Sequence, residues 1–340
     1  MPDPEAVAVV SAFRRRLLAL DARTLKSLID AYVPIWATLE AQVEAIAADP
    51  VRLGGLSRDE RVRDLQRQVE REVDQYATKA GGTISTAQRG AVNIAGTAAR
   101  RTVEAALPDG ITLDTLANVG IQWNRLPASA FEQFVGFAGD GGPLARLLAP
   151  LGPEAALGVK DALAQGIALG ASPRETSRLV RDQFGLPLTR SLTISRTETL
   201  RSYREATRTQ YQANSNIVKG YKRISAKDDR VCLACLALDG TEQPTDEVMP
   251  THPNCRCAAV PITVSYRDLG LDVPEDTRES ESAQQWFEAQ PETVQRGMMG
   301  ETRFTAWQRG EFQFGDMATV TDDATWGPGV QITPLGELIG

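Results

Sequence analysis

All four cysteines and the only histidine of this 340-residue chain fall inside one short stretch, CLACLALDGTEQPTDEVMPTHPNCRC, running from Cys232 to Cys257. Cys232 and Cys235 have the spacing of a metal-binding knuckle. His252 and Cys255 supply a second close pair, and Cys257 is a fifth candidate. A closed structural site needs four tetrahedral N/S ligands, and two pairs, each offered from one tight turn, meet that need with little loss of chain entropy. Four of the five therefore suffice. In an extended segment Cys255 and Cys257 lie on the same side, so the choice between them stays open. The donor set implies zinc in a structural role, closing a hairpin module too small to hold itself by apolar burial. The alternatives are buried free thiols beside an exposed histidine, or a disulfide formed in an extracellular particle.

A catalytic ion would need different neighbours. The chain has no His-Glu-x-x-His, the metalloprotease arrangement. A nucleobase deaminase places its histidine and glutamate before the Cys-x-x-Cys, whereas His252 follows it and is trailed by Pro253 and Asn254. A Ser-His-Asp triad would compete with the metal for His252, and there is no glycine-rich phosphate loop. The chain is expected not to be an enzyme.

Net charge is −7, so the chain as a whole is no polyanion binder, and a nucleic-acid contact would need a local patch. Residues 187–223 offer one: Arg190, Arg196, Arg201, Arg204, Arg208, Lys219, Lys222 and Arg223 stand against only Glu198 and Glu205. On a helix Arg201, Arg204 and Arg208 share a face. That face would touch double-stranded DNA or an acidic protein surface, or else is simply solvated. Arg196-Thr197-Glu198, early in the same helix, reads as a structural element able to pin it to the metal module. The N-terminus places acids first and an Arg cluster inside, the reverse of a secretory signal. No apolar run approaches the roughly 18 residues of a membrane span. A reducing cytoplasm is the expected folding compartment, and clustered cysteines there are more often ligands than disulfides.

The chain reads as mainly α, with a small α+β module closed by zinc. Two helices are expected over 5–48, the second carrying the stripe Leu25, Leu28, Ile29, Tyr32, Trp36, Leu39, Val43 and Ile46, kinked at Pro34. Ser57 and Glu60 form a capping box before a helix with Val62, Leu65, Val69, Val73 and Tyr76. Another helix spans 84–106, and the Gly/Pro-rich residues 136–153 mark a boundary. A helix over 153–168 follows. Ser172, Pro173 and Glu175 then start a helix that Gly185 and Pro187 end, and a long basic helix runs over 188–214. VKGYKRIS and CAAVPITV read as strands, with a turn signal at Asp239-Gly240 between them. Residues 268–284 read as a linker, and Trp286, Trp307 and Trp326 suggest short helices over a small aromatic core. The resulting division is a helical region at 1–150, the Cys/His domain at 151–265, and a linker with a C-terminal extension at 266–340.

The order of these features resembles the phage Mu F-like minor head protein family, also called the phage head morphogenesis family. The resemblance covers roughly 165–264. It rests on ASPRETSRLVRDQFG, on Arg196–Glu198 within SRTETLRSYREA, and on Tyr221 in an aromatic strand. It continues through Asp228 with Arg230 before Cys232 and Cys235, Leu238-Asp239-Gly240, and the His-Pro-x-Cys-Arg-Cys from His252 to Cys257. The tail QQWFEAQPETVQRGMMGETRFTAWQRGEFQF is similar to the C-terminal extension of many members. The family's frequent strand tryptophan is either replaced here by Tyr221 or left empty. The resemblance implies a virion protein in few copies, inside the capsid near the portal vertex and in the host cytoplasm during assembly. It would aid head assembly, packaging or genome delivery. The implied partners are the portal protein, the major capsid or scaffolding protein, and genomic DNA, with no membrane. Two other classes are a sequence-tolerant DNA-binding protein and a carrier of a toxin-type, ADP-ribosyltransferase-like activity. About 75 residues follow the Cys/His domain ending at 265, fewer than a typical enzyme domain needs.

Overall fold

The computed structural model describes residues 3–48, 52–53, 56–323 and 327–339. Along the chain come α1 (Pro4–Ala48), the short pair β1 (Arg52–Leu53) and β2 (Leu56–Ser57), α2 (Arg58–Glu104), α3 (Leu113–Ala117), α4 (Leu144–Leu148), α5 (Leu151–Ala168) and α6 (Pro173–Gln212). Then follow β3 (Val218–Ile224), α7 (Leu233–Ala237), β4 (Glu242–Pro244) and β5 (Ala258–Thr263). The last stretch holds α8 (Ala283–Glu288), α9 (Glu292–Met299), α10 (Glu301–Gln308), β6 (Ala318–Asp323), β7 (Gly327–Ile332) and α11 (Leu335–Leu338). Helix predominates among the described residues, so the fold is mainly α with small β elements, as the sequence indicates.

These elements build two compact units, each drawn from separated segments. One takes Met1–Ala19, Gln88–Val135 and Leu200–Gly340, the other Leu20–Ala87 and Gly136–Thr199. The sequence suggests a linear division at 150 and 265. The units interleave instead, because α1, α2 and α6 each supply residues to both.

Three expected helix breaks are absent. Residues 5–48 form one helix through Pro34, and the helices expected on either side of Gly81-Gly82 are one, α2. Gly185 and Pro187 do not end a helix but lie inside α6. A proline in a helix interior removes one hydrogen bond and costs about 3 kcal/mol. Burial on both sides offsets it: Tyr32 and Leu39 flank Pro34, and Phe184 and Ile194 flank Pro187. In the second unit the Tyr32 ring stacks on Phe184 at 4.8 Å and meets Tyr76 edge-on, and its hydroxyl donates to the Phe184 carbonyl. The α1 stripe is shifted from the one read in the sequence: Leu28, Tyr32, Leu39, Val43 and Ile46 are buried, but Ile29 is exposed, while Asp21 and Thr24 are buried. The two capping boxes form as the sequence indicates. The Ser57 and Ser172 backbone amides donate to Glu60 and Glu175, whose own amides donate back to the serine hydroxyls. These bonds hold both glutamates below the ordinary carboxylate range.

In the first unit the strands read from the sequence, β3 and β5, pair antiparallel, Tyr221 facing Pro261 and Arg223 facing Ala259. β4, which the sequence did not announce, adds to the other edge of β3. Ile224, Ala258 and Val260 pack against Ala6 and Val10 of α1. Tyr221, Val218 and Ala259 join Val103 of α2 and Tyr211 of α6 in a larger cluster that also holds Cys235, Cys255 and Cys257. A Cβ on Gly220 would sit 2.8 Å from the Gln243 carbonyl oxygen on β4. Gly220→Ala is therefore expected to destabilise by about 1–3 kcal/mol, as overpacking against an unyielding backbone does, read as a lower urea midpoint with unchanged slope.

Of the residues read as a linker, 268–284, those from 271 to 282 lie outside helices and strands, while Leu269 is buried and Ala283 begins α8. Beyond that stretch Phe287, Phe304, Phe312 and Phe314 form an aromatic core, with Trp286 and Trp307 partly buried against it. Trp326 lies outside the described residues. The antiparallel hairpin β6–β7 stands where the sequence suggested only short helices.

Candidate metal centre

Cys232 is the N-cap of α7, and its Sγ accepts the Cys235 amide at 3.3 Å. One turn of backbone thus delivers two sulfurs to one place. The second pair comes from the loop before β5. Here Asn254 adopts a left-handed φ of 65°, a conformation asparagine tolerates better than most residues, and the Cys255 amide donates to the His252 carbonyl. His252 Nε2 lies 3.1 Å from both Cys232 Sγ and Cys235 Sγ, and Cys235 Sγ lies 3.7 Å from Cys255 Sγ. The donor atoms fall into two overlapping groups, Cys232–Cys235–His252 and Cys235–Cys255–Cys257, and either could hold a metal ion. None of the four cysteines is in a disulfide.

Packing these groups together redistributes their protons. The hydrogen bond with Cys235 pushes Cys232 down to about 4, against the effect of burial. Hydrogen bonds with Cys235 and Cys257 hold Cys255 well below the ordinary thiol range. Cys235 faces the resulting negative charge and is driven up by Cys232 and Cys255. Burial works against a charged His252, but Cys232 and Cys255 outweigh it and raise the imidazole. Against a lowering bond with Cys235, its neighbour Cys255 and burial likewise raise Cys257. Two of the sulfurs are thus eased towards thiolate and two away from it, and the cluster, mostly out of water, offers the soft donors that a soft divalent ion takes.

Three neighbours brace the loops. Asp228 takes both terminal nitrogens of Arg256, the residue between Cys255 and Cys257, Nη2 to Oδ1 at 2.6 Å, and also accepts the Arg230 amide. Asp239 accepts the Ser225 amide at 2.6 Å and the Ala283 amide at 2.9 Å, so it ties the end of β3 to the start of α8. Gly240 adopts φ +82° and its amide donates to the Arg223 carbonyl. The Asp239-Gly240 signal therefore serves a joint between α7, β3 and α8, not a hairpin tip.

The Arg201, Arg204 and Arg208 face does not look outward. Arg204 is 5% exposed and its Nη1 donates to the Cys255 carbonyl at 3.1 Å. Arg208 pairs with Glu205 and donates to the Thr245 carbonyl, and Arg201 is half-buried. The expected DNA or partner contact is thus corrected for Arg204 and Arg208. What decides the direction of this helix face is the packing of the β4–β5 connection on α6, which charge periodicity alone does not encode. Arg204→Ala is expected to lower stability by about 2 kcal/mol, the scale of a charged hydrogen bond, and to leave salt-dependent retention on DNA unchanged. Arg196 is corrected as well: it pairs with Asp21 of α1 at 2.8 Å rather than with the metal module, and Glu198 is fully buried.

Sequence reasoning missed Arg223, which donates to two of the cluster's sulfurs. The available signal was its place on β3 beside the partly exposed Lys222.

Residues 158–260 match the family model described as Phage Mu protein F like protein. No curated protein and no solved structure matches the chain. Among the described residues no helix is long and apolar enough to cross a membrane.

Proposed function

This chain belongs to the phage Mu protein F like family through residues 158–260, and from that premise we propose that it is a minor structural protein of a phage head, seated inside the capsid near the portal vertex. The family is one of head morphogenesis. The observation that carries the reading is the coincidence of the matched region with the Cys/His centre: every candidate ligand lies within it. Portal protein is the proposed partner, with capsid or scaffolding protein and packaged DNA as further contacts.

The proposed ion is zinc. Tetrahedral zinc with Zn–S of about 2.3 Å and Zn–N of about 2.0–2.1 Å sets sulfurs about 3.8 Å apart and sulfur and nitrogen about 3.5 Å apart. The Cys235–Cys255 separation of 3.7 Å and the two Cys–His separations of 3.1 Å fit that frame with small adjustment. Cys232, Cys235 and His252 would hold the ion, with Cys255 or Cys257 closing the site. The proposed role of the ion is structural, and the protein would act by binding rather than by turnover. His252 supports this: Nε2 faces two sulfurs and Nδ1 lies 2.7 Å from the Pro253 carbonyl, so both ring nitrogens are already engaged. The inward-turned Arg204 and Arg208 weigh against a DNA-binding protein as the main reading. Against a fused toxin-type domain stands the C-terminal extension, whose aromatic core packs on Leu233 and Leu236 of α7.

The test is mass spectrometry of purified virions together with co-expression alongside the cognate portal. A few copies per particle and a stable complex are expected. Absence from virions, or robust turnover of a nucleotide or peptide substrate, would overturn the reading.

A further inference from the structure

Arg223 is 1% exposed and heads the largest fully buried side chains among the described residues. A guanidinium stays protonated in a protein, and a buried charge without a counter-charge costs several kcal/mol. Among the described residues no carboxylate is within ion-pair distance of it. Nη1 donates to the Pro250 carbonyl at 2.6 Å, and Nη2 donates to Cys235 Sγ at 3.3 Å and to Cys255 Sγ at 3.8 Å. The neighbouring acids are already engaged, Asp228 by Arg256 and Asp239 by Lys227 and two backbone amides. The counter-charge has to come from sulfur.

We infer that Arg223 is the built-in counter-ion of a metal–thiolate centre, its guanidinium bridging the sulfurs of Cys235 and Cys255 while Pro250 holds its other arm. A divalent ion with three thiolates and a neutral imidazole carries one net negative charge, whichever of Cys255 and Cys257 closes the site, and one guanidinium cancels it. The Pro250 bond has a second effect. Pro250 lies just before Thr251, which pairs with β7 by donating to the Pro328 carbonyl and accepting the Val330 amide. Arg223 therefore also orients the approach to His252. Hydrogen bonds to metal-bound sulfur draw charge from it, which makes it a poorer nucleophile and moves sulfur-to-metal charge transfer to higher energy.

This inference rests on the metal-holding reading above, and the experiment separates the two. The full chain and its Arg223→Met and Arg223→Lys variants are loaded with zinc or cobalt(II). Zinc affinity is read by chelator competition, the sulfur-to-cobalt band by absorption, and thiolate reactivity by the rate of alkylation. Arg223→Met is expected to lose about 10–100-fold in zinc affinity, the usual effect of removing a group that supports a metal ligand. Its charge-transfer band should shift to the red and its alkylation should quicken. Arg223→Lys keeps the charge but not the bridge and should fall between. A wild-type chain that takes up neither metal defeats the metal reading itself. If the wild type binds and Arg223→Met matches it in affinity and band position, only the counter-ion role is overturned. Should Arg223→Met fail to fold, a Lys variant equal to wild type in both readouts overturns the role as well.

Discussion

Cys235→Ser is expected to release the metal and to abolish cooperative folding of the module between β3 and β5. Cys235 is the one ligand candidate common to both donor groups. It is buried, faces His252 and Cys255, and its amide closes the first turn of α7 on Cys232. Structural zinc contributes about 10–16 kcal/mol to the folding of small metal-dependent modules. Against that loss the three-stranded sheet, one edge strand of which has three residues, sets only its packing on α1, α2 and α6. Elemental analysis should fall from about one ion per chain to none, and amide exchange over 218–263 should lose its protection. Cys232→Ser should follow closely. Cys255→Ser and Cys257→Ser should differ from each other, because only the one that closes the site releases the ion. A metal-free protein with unchanged thermal stability would defeat the prediction.

The Cys/His cluster was legible because soft-metal chemistry admits few residue types and a closed site demands short spacings, and the structure does bring these side chains together. The strands β3 and β5 were legible for a similar local reason, and so were the capping boxes at Ser57 and Ser172, where one residue and its partner three positions on decide the outcome. What escaped depends on packing between distant segments. Pro34 and Pro187 carry a local signal to stop a helix, but burial of Tyr32, Leu39, Phe184 and Ile194 overrides it. Arg204 has the same local sequence whether its helix face meets solvent or the Cys255 carbonyl. Strand β4 is too short, and β7 too rich in glycine and proline, to show a period. The interleaved units have no sequence signature, since α1, α2 and α6 pass through both without a linker.

Phe287→Ala is expected to cost about 3–5 kcal/mol, the range for emptying a buried aromatic site, and to loosen the metal as well. Phe287 is fully buried, with ring centroids 5.7 Å from Trp307 and 5.5 Å from Phe314. Its helix α8 is fixed at the start by the Ser282–Gln285 capping box and by Asp239, which accepts the Ala283 amide. The cluster around it includes Leu233 and Leu236, which flank Cys235 on α7. The C-terminal extension thus packs under the helix that carries Cys232 and Cys235, and a cavity there is expected to free α7 to move. Chemical denaturation should show the lost stability, and transfer of zinc to a chelator should be faster than in the wild type. Val294→Ala, at an exposed position on α9, serves as the control and should stay within about 0.5 kcal/mol of wild type. If Phe287→Ala loses stability while zinc transfer keeps its wild-type rate, the extension and the metal helix are separate cooperative elements, and the extension acts only on itself.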